Sequence, residues 1–422
     1  MATARNSAAS PPMPRIGVVV STFPRPVDAY MLRELLALRE RGIDVRIYSL
    51  RQPAGNVAPG QAAALRERTT YPPPLASAEM RRAHAALLRS ARGRYVATLA
   101  ALVKNHVRSP RLLTKVLAVW PQTVYFASRA RADGLDHVHA NWATYPAAAA
   151  SAIARLTGLS WSFAGHASDI YLEAAGLAEK IRRASFVTTC TAESQRYLAS
   201  IATDVDPGRV RTVYHGTDLG AFRIERREPE DLHILAVGTL RHCKGYDTLL
   251  RAAMRLRAVG IPTRVTIVGD GEERPALARL AAELGLAGQV MFTGYLPHER
   301  LADLYATATV LVHPARSATH FGIPNVIIEA QAASLPVVCT PLPALRELIE
   351  NGTSGVYVPE EDVDALATTL RGLFEDPARR RHLAAEGLRR VTALFDITET
   401  AEAFVGLFTN TAAAPRLREA VG

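Results

Sequence analysis

The chain contains 422 residues, of which 48% are hydrophobic and 21% charged, and its formal net charge is +10 at pH 7. This length exceeds one ordinary hydrophobic core and predicts two domains of about 200 residues, while the mixed composition excludes an intrinsically disordered chain. The three cysteines match no metal-binding or redox spacing, so a reducing cytoplasm is the expected setting. Residues 1–14 lack the pattern of a signal peptide and predict a disordered start, and the apolar runs fall short of the roughly 20 residues that span a bilayer.

The positive charge is concentrated in one segment, residues 81–132, which contains eleven basic residues and no acidic one. Apolar residues at helical spacing between them predict basic amphipathic helices, a type of helix that rests on anionic membrane surfaces. A solvated helical face is the alternative interpretation. Nucleic acid is not expected as a partner, because aromatic stacking residues are sparse there and no recognition motif is present. The basic residues are Arg81, Arg82, Arg89, Arg92, Arg94, Lys104, Arg108, Arg111, Lys115, Arg129 and Arg131.

Short apolar runs alternate with segments of helical periodicity, which is typical of parallel sheets joined by helices. The first predicted strand, Ile16–Val20, precedes a helix that carries Met31, Leu35 and Leu38 on one face and ends at Gly42. Further strands in the first half are predicted at Val45–Tyr48, His137–His139, Trp161–Phe163, Phe186–Thr188 and Val210–Tyr214.

The second half repeats this alternation, which predicts an α/β fold with two Rossmann-like parallel-sheet domains and a ligand cleft between them. Its strands are predicted at Ile234–Val237, Val265–Val268, Val290–Phe292, Val310–Val312, Pro336–Cys339 and Val356–Val358. The expected boundaries are a disordered start over 1–14, a first domain over 15–218 with a basic helical insertion over 81–132, a linker over 219–230, a second domain over 231–395 and a C-terminal segment over 396–422.

The first candidate ligand-binding motif follows the strand that ends at Val237 and reads Gly238-Thr-Leu-Arg241-His-Cys-Lys244-Gly245. Arg241 and Lys244 lie three residues apart in the loop that opens the next helix. An arginine fork and a lysine point charge at this spacing can both address a diphosphate. A surface turn with ordinary charge is the alternative.

A second candidate motif begins a helix and reads Phe321-Gly-Ile-Pro324-Asn-Val-Ile-Ile-Glu329. Proline suits the first helical position and leaves the amides of Asn325 and Val326 open to a ligand. A helix start carries roughly +0.5 charge and suits phosphate, while Glu329, just over one turn later, could bind ribose hydroxyls. A purely structural helix is the alternative.

A third motif, Val265-Thr-Ile-Val268-Gly-Asp-Gly271, ends a strand with Gly269 and Gly271. The third glycine of a dinucleotide fingerprint would fall at Arg274, and the two glutamates before it would repel a pyrophosphate. The motif therefore predicts a tight strand-to-helix turn near a nucleotide rather than an NAD site.

No metal is expected. The pair Asp204-Val-Asp206 precedes Pro-Gly and indicates a turn, and Asp362-Val-Asp364 falls in the acidic first turn of a predicted helix.

In the first half, polar side chains follow two predicted strands. His166 and Asp169 come directly after the strand around Trp161–Phe163, and Asn141 follows His137–His139. A lone histidine is more often structural, but placement at a strand end next to Gly165 favours a position at the ligand cleft.

Taken together, these motifs resemble those of retaining glycosyltransferases of family 4, which have the two-domain GT-B fold. The resemblance runs from about Ile16 to the C-terminus. It rests on Val237-Gly238…Lys244-Gly245, Val268-Gly-Asp-Gly271, Phe292-Thr-Gly-Tyr295, Gly322-Ile-Pro-Asn-Val-Ile-Ile-Glu329-Ala330, Ser21-Thr-Phe-Pro24, His139-Ala, His166-Ala-Ser-Asp169 and His215-Gly-Thr-Asp218.

The resemblance implies a role for each residue. Arg241 and Lys244 would neutralise the donor diphosphate, Glu329 would hold the ribose, the main chain near Tyr295 would meet the base, and His166 would contact the sugar. The last helix, about Glu399 to Thr409, would cross back to the first domain. The donor side would further include Gly238, Gly269, Gly271, His320, Phe321, Gly322, Pro324, Asn325 and Val326, and the acceptor side Pro24, Asn141 and Asp169.

Two departures from the family pattern stand out. The family often has a glutamate where this chain has Phe321, so either His320 or Thr319 replaces it, or the donor-sugar contact differs, or the transferase is weakened. The first loop has Pro24-Arg-Pro26 in place of paired glycines, a pattern closer to the polysaccharide-assembly branch.

The leading hypothesis is a metal-independent hexosyltransferase without a bound cofactor, which uses a nucleotide-diphosphate sugar and a lipid-linked or oligosaccharide acceptor in envelope or exopolysaccharide biosynthesis. It would lie in the cytoplasm, on the inner face of the membrane, through residues 81–132. The alternatives are a non-catalytic partner subunit and a sugar-nucleotide epimerase of the same fold.

Overall fold

The computed structural model describes residues 13–25, 29–53, 63–166, 168–317 and 323–413. Most of the predicted disordered start, residues 1–12, lies outside these ranges. The chain divides into two compact units. The first unit comprises Met1–Cys190, Ser194–Val213 and Thr400–Gly422, and the second unit comprises Thr191–Glu193 and Tyr214–Glu399.

The first unit contains a parallel sheet of seven strands among its described residues, in the order β3-β2-β1-β4-β5-β6-β7. Every strand predicted in the first half is present, with ends that agree to within three residues, whereas the two-residue β3 is too short to leave a periodic signal. The strands are β1 (Arg15–Thr22), β2 (Asp44–Arg51), β3 (Thr69–Thr70), β4 (His137–Asn141), β5 (Ser160–Gly165), β6 (Val187–Thr189) and β7 (Val210–Thr212).

The helices of the first half follow the predicted periodicity. Met31, Leu35 and Leu38 of the first helix are buried, and Gly42 has the positive φ of 87° that ends a helix easily only at glycine. The helices are α1 (Ala29–Glu40), α2 (Ala63–Arg66), α3 (Ala78–His106), α4 (Pro110–Ala118), α5 (Trp120–Ala132), α6 (Tyr145–Thr157), α7 (Ser168–Tyr171), α8 (Leu177–Arg183) and α9 (Ala192–Ile201).

The basic segment 81–132 is helical and falls on α3, α4 and α5. Each of these helices buries an apolar side against the core of the first unit, as Leu87, Leu112 and Phe126 show. No helix of the described residues is both long enough and apolar enough to cross a bilayer.

The second unit contains a parallel sheet of six strands in its described part, in the order β10-β9-β8-β11-β12-β13. All six strands predicted in the second half are present. They are β8 (Leu232–Val237), β9 (Thr263–Val268), β10 (Val290–Gly294), β11 (Val310–His313), β12 (Val337–Cys339) and β13 (Val356–Tyr357). The order places β8 at the centre, and its side chains are buried on both faces.

The helices of the second unit join these parallel strands, so the α/β class with two Rossmann-like sheets is confirmed. They are α10 (Tyr246–Ala258), α11 (Arg274–Glu283), α12 (His298–Thr307), α13 (Asn325–Ala332), α14 (Val363–Glu375) and α15 (Pro377–Phe395). The last helix, α16 (Ile397–Ala413), is longer than predicted, and from Thr400 onward it belongs to the first unit, where Phe404 and Phe408 pack in the core.

The aspartate pairs lie where the sequence predicts a turn and a helix start. The Asp206 carboxylate accepts a hydrogen bond of 2.8 Å from the amide of Gly208. The Asp362 carboxylate accepts one from the amide of Ala365 at the start of α14. Asp204 is paired with Arg182.

Candidate functional site

The loops after β8, β9 and β10 meet through their main chains at the carboxyl edge of the second sheet. The amide of Gly238 donates to Val268 at 2.9 Å, and the amide of Gly269 donates to Gly294 at 2.9 Å. Because ligands of parallel α/β sheets bind at this edge, these loops form the floor of the candidate donor site.

The predicted glycines are required by this close approach. Gly269 has a φ of 130°, and a Cβ there would lie 2.0 Å from the carbonyl oxygen of Gly238. A Cβ on Gly271 would lie 2.4 Å from the carbonyl oxygen of Leu240. The motif is therefore the predicted tight turn from β9 to α11, and Arg274, at the position of the missing third glycine, pairs with Asp270 at 3.1 Å.

Arg241 precedes a short 3₁₀ turn, residues 242–244, that leads into α10, and Lys244 is the last residue of this turn. The Arg241 side chain is 66% exposed and lies 3.8 Å from Glu272, a loose contact that leaves it able to turn to a ligand. Burial lowers the pKa of the Lys244 ammonium, and the nearby Arg241 charge lowers it as well. Two cations on one turn disfavour each other, so a diphosphate would stabilise both.

The turn with the two cations touches the chain that follows β11. The Arg316 amide donates to the Cys243 carbonyl at 2.8 Å, and a Cβ on Gly245 would lie 2.0 Å from the Pro314 carbonyl oxygen. The segment that continues from β11 toward α13 is thereby anchored beside the cations. His320, Phe321 and Gly322, predicted for the donor side, lie outside the described residues.

Helix α13 begins one residue later than predicted. Pro324 has an extended ψ of 127° and is the N-cap, so Asn325 is the first helical residue. The expectation of Pro324 at the first helical position was wrong by one residue, because a proline fixes φ but leaves ψ to the loop before it. The amides of Asn325 and Val326 still belong to the first turn, where a regular helix has no internal acceptors for them.

Glu329 is buried on α13, and its Oε2 accepts a hydrogen bond of 2.9 Å from the Tyr305 hydroxyl. Burial raises the pKa of Tyr305 well above its ordinary value, and the Glu329 charge adds to this. The tyrosine therefore stays a proton donor that orients the carboxylate. Sequence reasoning missed Tyr305, because it lies 24 residues before Glu329 on another helix.

Tyr295 directly follows β10 and Gly294, which has a φ of 71°. Its side chain is 74% exposed, an unusual state for a large aromatic residue. An exposed ring at the carboxyl edge of the sheet suits contact with a nucleoside base.

In the first unit, Asn141 ends β4, and His166 directly follows the adjacent strand β5. The Nε2 of His166 lies 2.7 Å from Oδ1 of Asn141, and because an amide oxygen only accepts, Nε2 carries the proton. The ring packs edge-on against Trp142 at 4.9 Å and Tyr30 at 5.4 Å between ring centroids. The structure thus brings two predicted site residues together and fixes the tautomer of the histidine.

Asp169 and Pro24 are buried beside these strand ends. The Asp169 carboxylate accepts hydrogen bonds from the main-chain amides of His166 at 2.9 Å and of Ala143 at 2.8 Å. Pro24 follows β1 in a cis peptide bond with Phe23. Their assignment to the acceptor side stays a prediction.

Lys180 is a buried residue that the sequence did not single out. Its Nζ donates to the carbonyls of Ala143 at 2.7 Å and Thr144 at 3.3 Å. Desolvation lowers its pKa to about 7, although the Asp169 and Glu173 charges oppose this shift. Nothing local marks it, since it is one of several basic residues on α8.

Known proteins resemble parts of this chain. Residues 221–390 match the family described as glycosyl transferases group 1. The chain is 35% identical over 225 residues to D-inositol 3-phosphate glycosyltransferase 1 of Catenulispora acidiphila, which covers 47% of this chain and 53% of that protein. It is 35% identical over 242 residues to the D-inositol 3-phosphate glycosyltransferase of a Nocardioides species, with 52% of each chain covered. The chain thus spans about half the length of the curated relatives it matches.

Solved structures resemble nearly the whole chain. Anabaena HepE in complex with UDP has a TM-score of 0.68 at 15% identity and covers 94% of this chain and 100% of its own. A glycosyltransferase from Rickettsia africae has a TM-score of 0.70 at 14% identity, covering 96% and 100%. A sucrose-phosphate synthase from Thermosynechococcus elongatus has a TM-score of 0.66 at 20% identity, covering 95% and 100%. At such identities the likeness shows the fold alone. The chain therefore has the GT-B fold, and its residues 221–390 are similar to the glycosyl transferases group 1 family.

Proposed function

We propose that this chain is a glycosyltransferase that transfers a hexose from a nucleotide-diphosphate sugar to an acceptor hydroxyl. The observation that carries the proposal is the cationic turn of Arg241 and Lys244, which touches the β11 segment that continues to α13. Two cations and the open start of a helix at one sheet edge suit a diphosphate. Buried Glu329, held by Tyr305, supplies the carboxylate for the ribose.

The proposed chemistry follows from where charge develops. As the bond from the anomeric carbon to the phosphate oxygen breaks, the diphosphate leaves with the electron pair and the ring becomes positive. The acceptor oxygen bonds to the anomeric carbon and passes its proton to the departing diphosphate oxygen. The two cations and the helix amides stabilise the departing diphosphate, so the reaction as proposed needs no divalent metal or bound cofactor. Retention of configuration, by front-face attack, is what the family resemblance implies.

Two acceptor classes compete. The basic segment 81–132 supports a lipid-linked glycan of envelope or exported polysaccharide, with the chain held at the inner face of the membrane. The curated relatives are D-inositol 3-phosphate glycosyltransferases, which favours a small phosphorylated polyol. We assign acceptor binding to the first unit and prefer the lipid-linked acceptor, because α3 also exposes apolar side chains among its cations.

The donor site is tested by titration calorimetry with UDP and with GDP, without added metal. Wild type should bind one of the two, and Lys244→Ala should weaken that binding at least tenfold, or about 1.4 kcal/mol. The control Arg251→Ala removes an exposed charge from the neighbouring helix α10 and should bind as wild type. If wild type bound neither nucleotide, the assignment of the donor site would be wrong. The hypothesis of a non-catalytic partner subunit would then be favoured.

Turnover then separates the remaining possibilities. Release of UDP or GDP from the corresponding sugar donor is followed with D-inositol 3-phosphate and, separately, with a lipid-linked saccharide extract. Release that depends on the extract supports the preferred acceptor, and release with D-inositol 3-phosphate overturns it. Donor consumption without any acceptor would indicate an epimerase or a hydrolase, and binding without turnover a partner subunit.

A further inference from the structure

The loop after β4 has a strained residue at its centre. Trp142 has a φ of 104°, in the left-handed region that favours glycine. Its amide donates to the carbonyl of Ala164 at 3.0 Å, and its indole packs edge-on against the His166 ring. A non-glycine residue keeps such a conformation only when its surroundings determine it strongly, and strain of this kind concentrates at functional sites.

The next residue, Ala143, is held at both its amide and its carbonyl. The amide of Ala143 donates to the Asp169 carboxylate, while its carbonyl accepts from the Lys180 ammonium. The other oxygen of the same carboxylate accepts the amide of His166. Asp169 thus ties the strained loop to the main chain of His166. Lys180 ties the same loop to α8, 37 residues further along the chain.

Burying the Lys180 ammonium at this position is energetically unfavourable. The Lys180 residue is only 5% exposed, and removing an ammonium from water costs far more than burying an apolar chain of similar length. Two carbonyls of one short loop receive it. A purely space-filling role would be served better by methionine.

We propose that Lys180 is a positioning residue, which holds the loop of Asn141, Trp142 and Ala143 so that the His166 ring keeps one orientation and one tautomer. The proposal rests on the proposed function, because the resemblance gives His166 its contact with the sugar. Lys180 itself acts through the main chain of the loop.

The protonation state of Lys180 changes near neutral pH. Desolvation lowers its pKa to about 7, so the ammonium is present below that pH and the neutral amine above it. The ammonium makes charge-assisted bonds to both carbonyls, whereas the amine donates more weakly, and the loop therefore loosens as pH rises. The other ionisable groups around Lys180 are Asp169, Glu173, His106, Arg155, Glu179 and Arg183. Burial lowers the pKa of His106 to about 4, so that residue stays neutral through this transition.

Tryptophan fluorescence tests the proposal without any substrate. The signal of Trp142 is the difference between wild type and Trp142→Phe, followed from pH 5.5 to 8.5. We expect a transition centred near pH 7. It should vanish in Lys180→Met, which has no charge, and in Lys180→Arg, which keeps its charge throughout. The control Lys104→Met, which removes an exposed cation of α3 in the same unit, should retain it. A transition that persists in both Lys180 variants belongs to another group and overturns the proposal.

Activity adds a second readout that a merely structural residue would not give. Lys180→Met should lower kcat at least tenfold with the donor KM unchanged, and Lys180→Arg should restore part of kcat and make it less dependent on pH. Urea unfolding verifies that each variant folds, and Lys180→Arg alone decides the question if Lys180→Met does not fold. Equal activity of Lys180→Met and wild type would refute the positioning role.

Separate results would refute the proposed donor site and the positioning role of Lys180. Failure of wild type to bind UDP or GDP would remove the donor site in the second unit while leaving the fluorescence result in place. Normal nucleotide binding by the Lys180 variants, together with an unchanged Trp142 transition, would remove only the positioning role.

Discussion

Single residues in the candidate donor site are held by partners distant in the sequence. Glu329 is the clearest case, because its carboxylate is buried and its orientation depends on the hydroxyl of Tyr305. A buried acceptor that loses its donor bears a desolvation penalty of about 1–3 kcal/mol. The pair therefore links the stability of the second unit to the geometry proposed for ribose binding.

Replacement of Tyr305 by phenylalanine should expose this link. Tyr305→Phe keeps the ring and removes only the hydroxyl, so we expect the free energy of unfolding to fall by about 1–3 kcal/mol in urea titrations. Nucleotide binding should weaken in parallel, since the carboxylate loses its orientation.

Tyr246→Phe is the matched control. The Tyr246 hydroxyl is also buried in the second unit, but it has no hydrogen-bond partner within the described part of the chain. Its removal should be neutral or stabilising. Equal losses in both variants would mean that the bond to Glu329 contributes nothing specific.

At the scale of elements, helix α3 exposes apolar side chains next to basic ones, a combination that a simple solvated face does not require. Val96 and Val103 of α3 are exposed, as is Val107, the C-cap residue that directly follows it. Their spacing of seven and four residues places them on one side of the helix. Exposed Arg92 and Lys104 flank them. Apolar side chains beside cations are typical of helices that rest on anionic membranes.

Vesicle flotation tests this face directly. Wild type should float with vesicles that contain phosphatidylglycerol and not with pure phosphatidylcholine, and added salt should weaken the binding. The double variant Val103→Asp, Val107→Asp should stay in the lower fractions. Val259→Asp alters an exposed valine of the second unit and should float as wild type. Wild type that never floats would favour the solvated-face interpretation.

At the scale of the whole molecule, the first unit contains a buried polar layer between β4, β5 and α16. His137 and His139 both bond to the Ser162 hydroxyl, at 2.7 and 2.8 Å, and Phe408 packs against both imidazole rings. Burial lowers the pKa of His139 to about 3 and that of His137 well below its usual value. Both rings are therefore neutral in the folded chain.

This layer should make the protein sensitive to acid. Below pH 6.5 the unfolded chain binds protons at these histidines and the folded chain does not, so the stability present above that pH is lost as pH falls. The loss amounts to at most about 1.4 kcal/mol per pH unit for each histidine.

Chemical denaturation at pH 7, 6 and 5 measures this loss of folding stability. His139→Gln should show a shallower decline than wild type, and His382→Gln, which alters an exposed histidine of α15, should follow wild type. Parallel curves for all three would show that the buried histidines do not govern acid stability.

The sequence by itself determined the alternation of strands and helices in both units. Burial on a sheet or a helix imposes a short period on the apolar residues, so strands such as β1 and β8 can be located from their own letters. The turn at Gly269 and Gly271 was predictable for a similar local reason, since only glycine allows two main chains to approach so closely. The same local signals identified Arg241, Lys244 and His166 as residues at strand ends.

The tertiary structure decided which groups meet. Tyr305 reaches Glu329 across 24 residues, and Lys180 reaches Ala143 across 37. The start of α13 at Asn325 was likewise set by the loop before it rather than by Pro324. Such pairings depend on strand order and helix placement, which the chain settles only when it folds, because hydrophobic periodicity specifies what is buried and not which partner it is buried against.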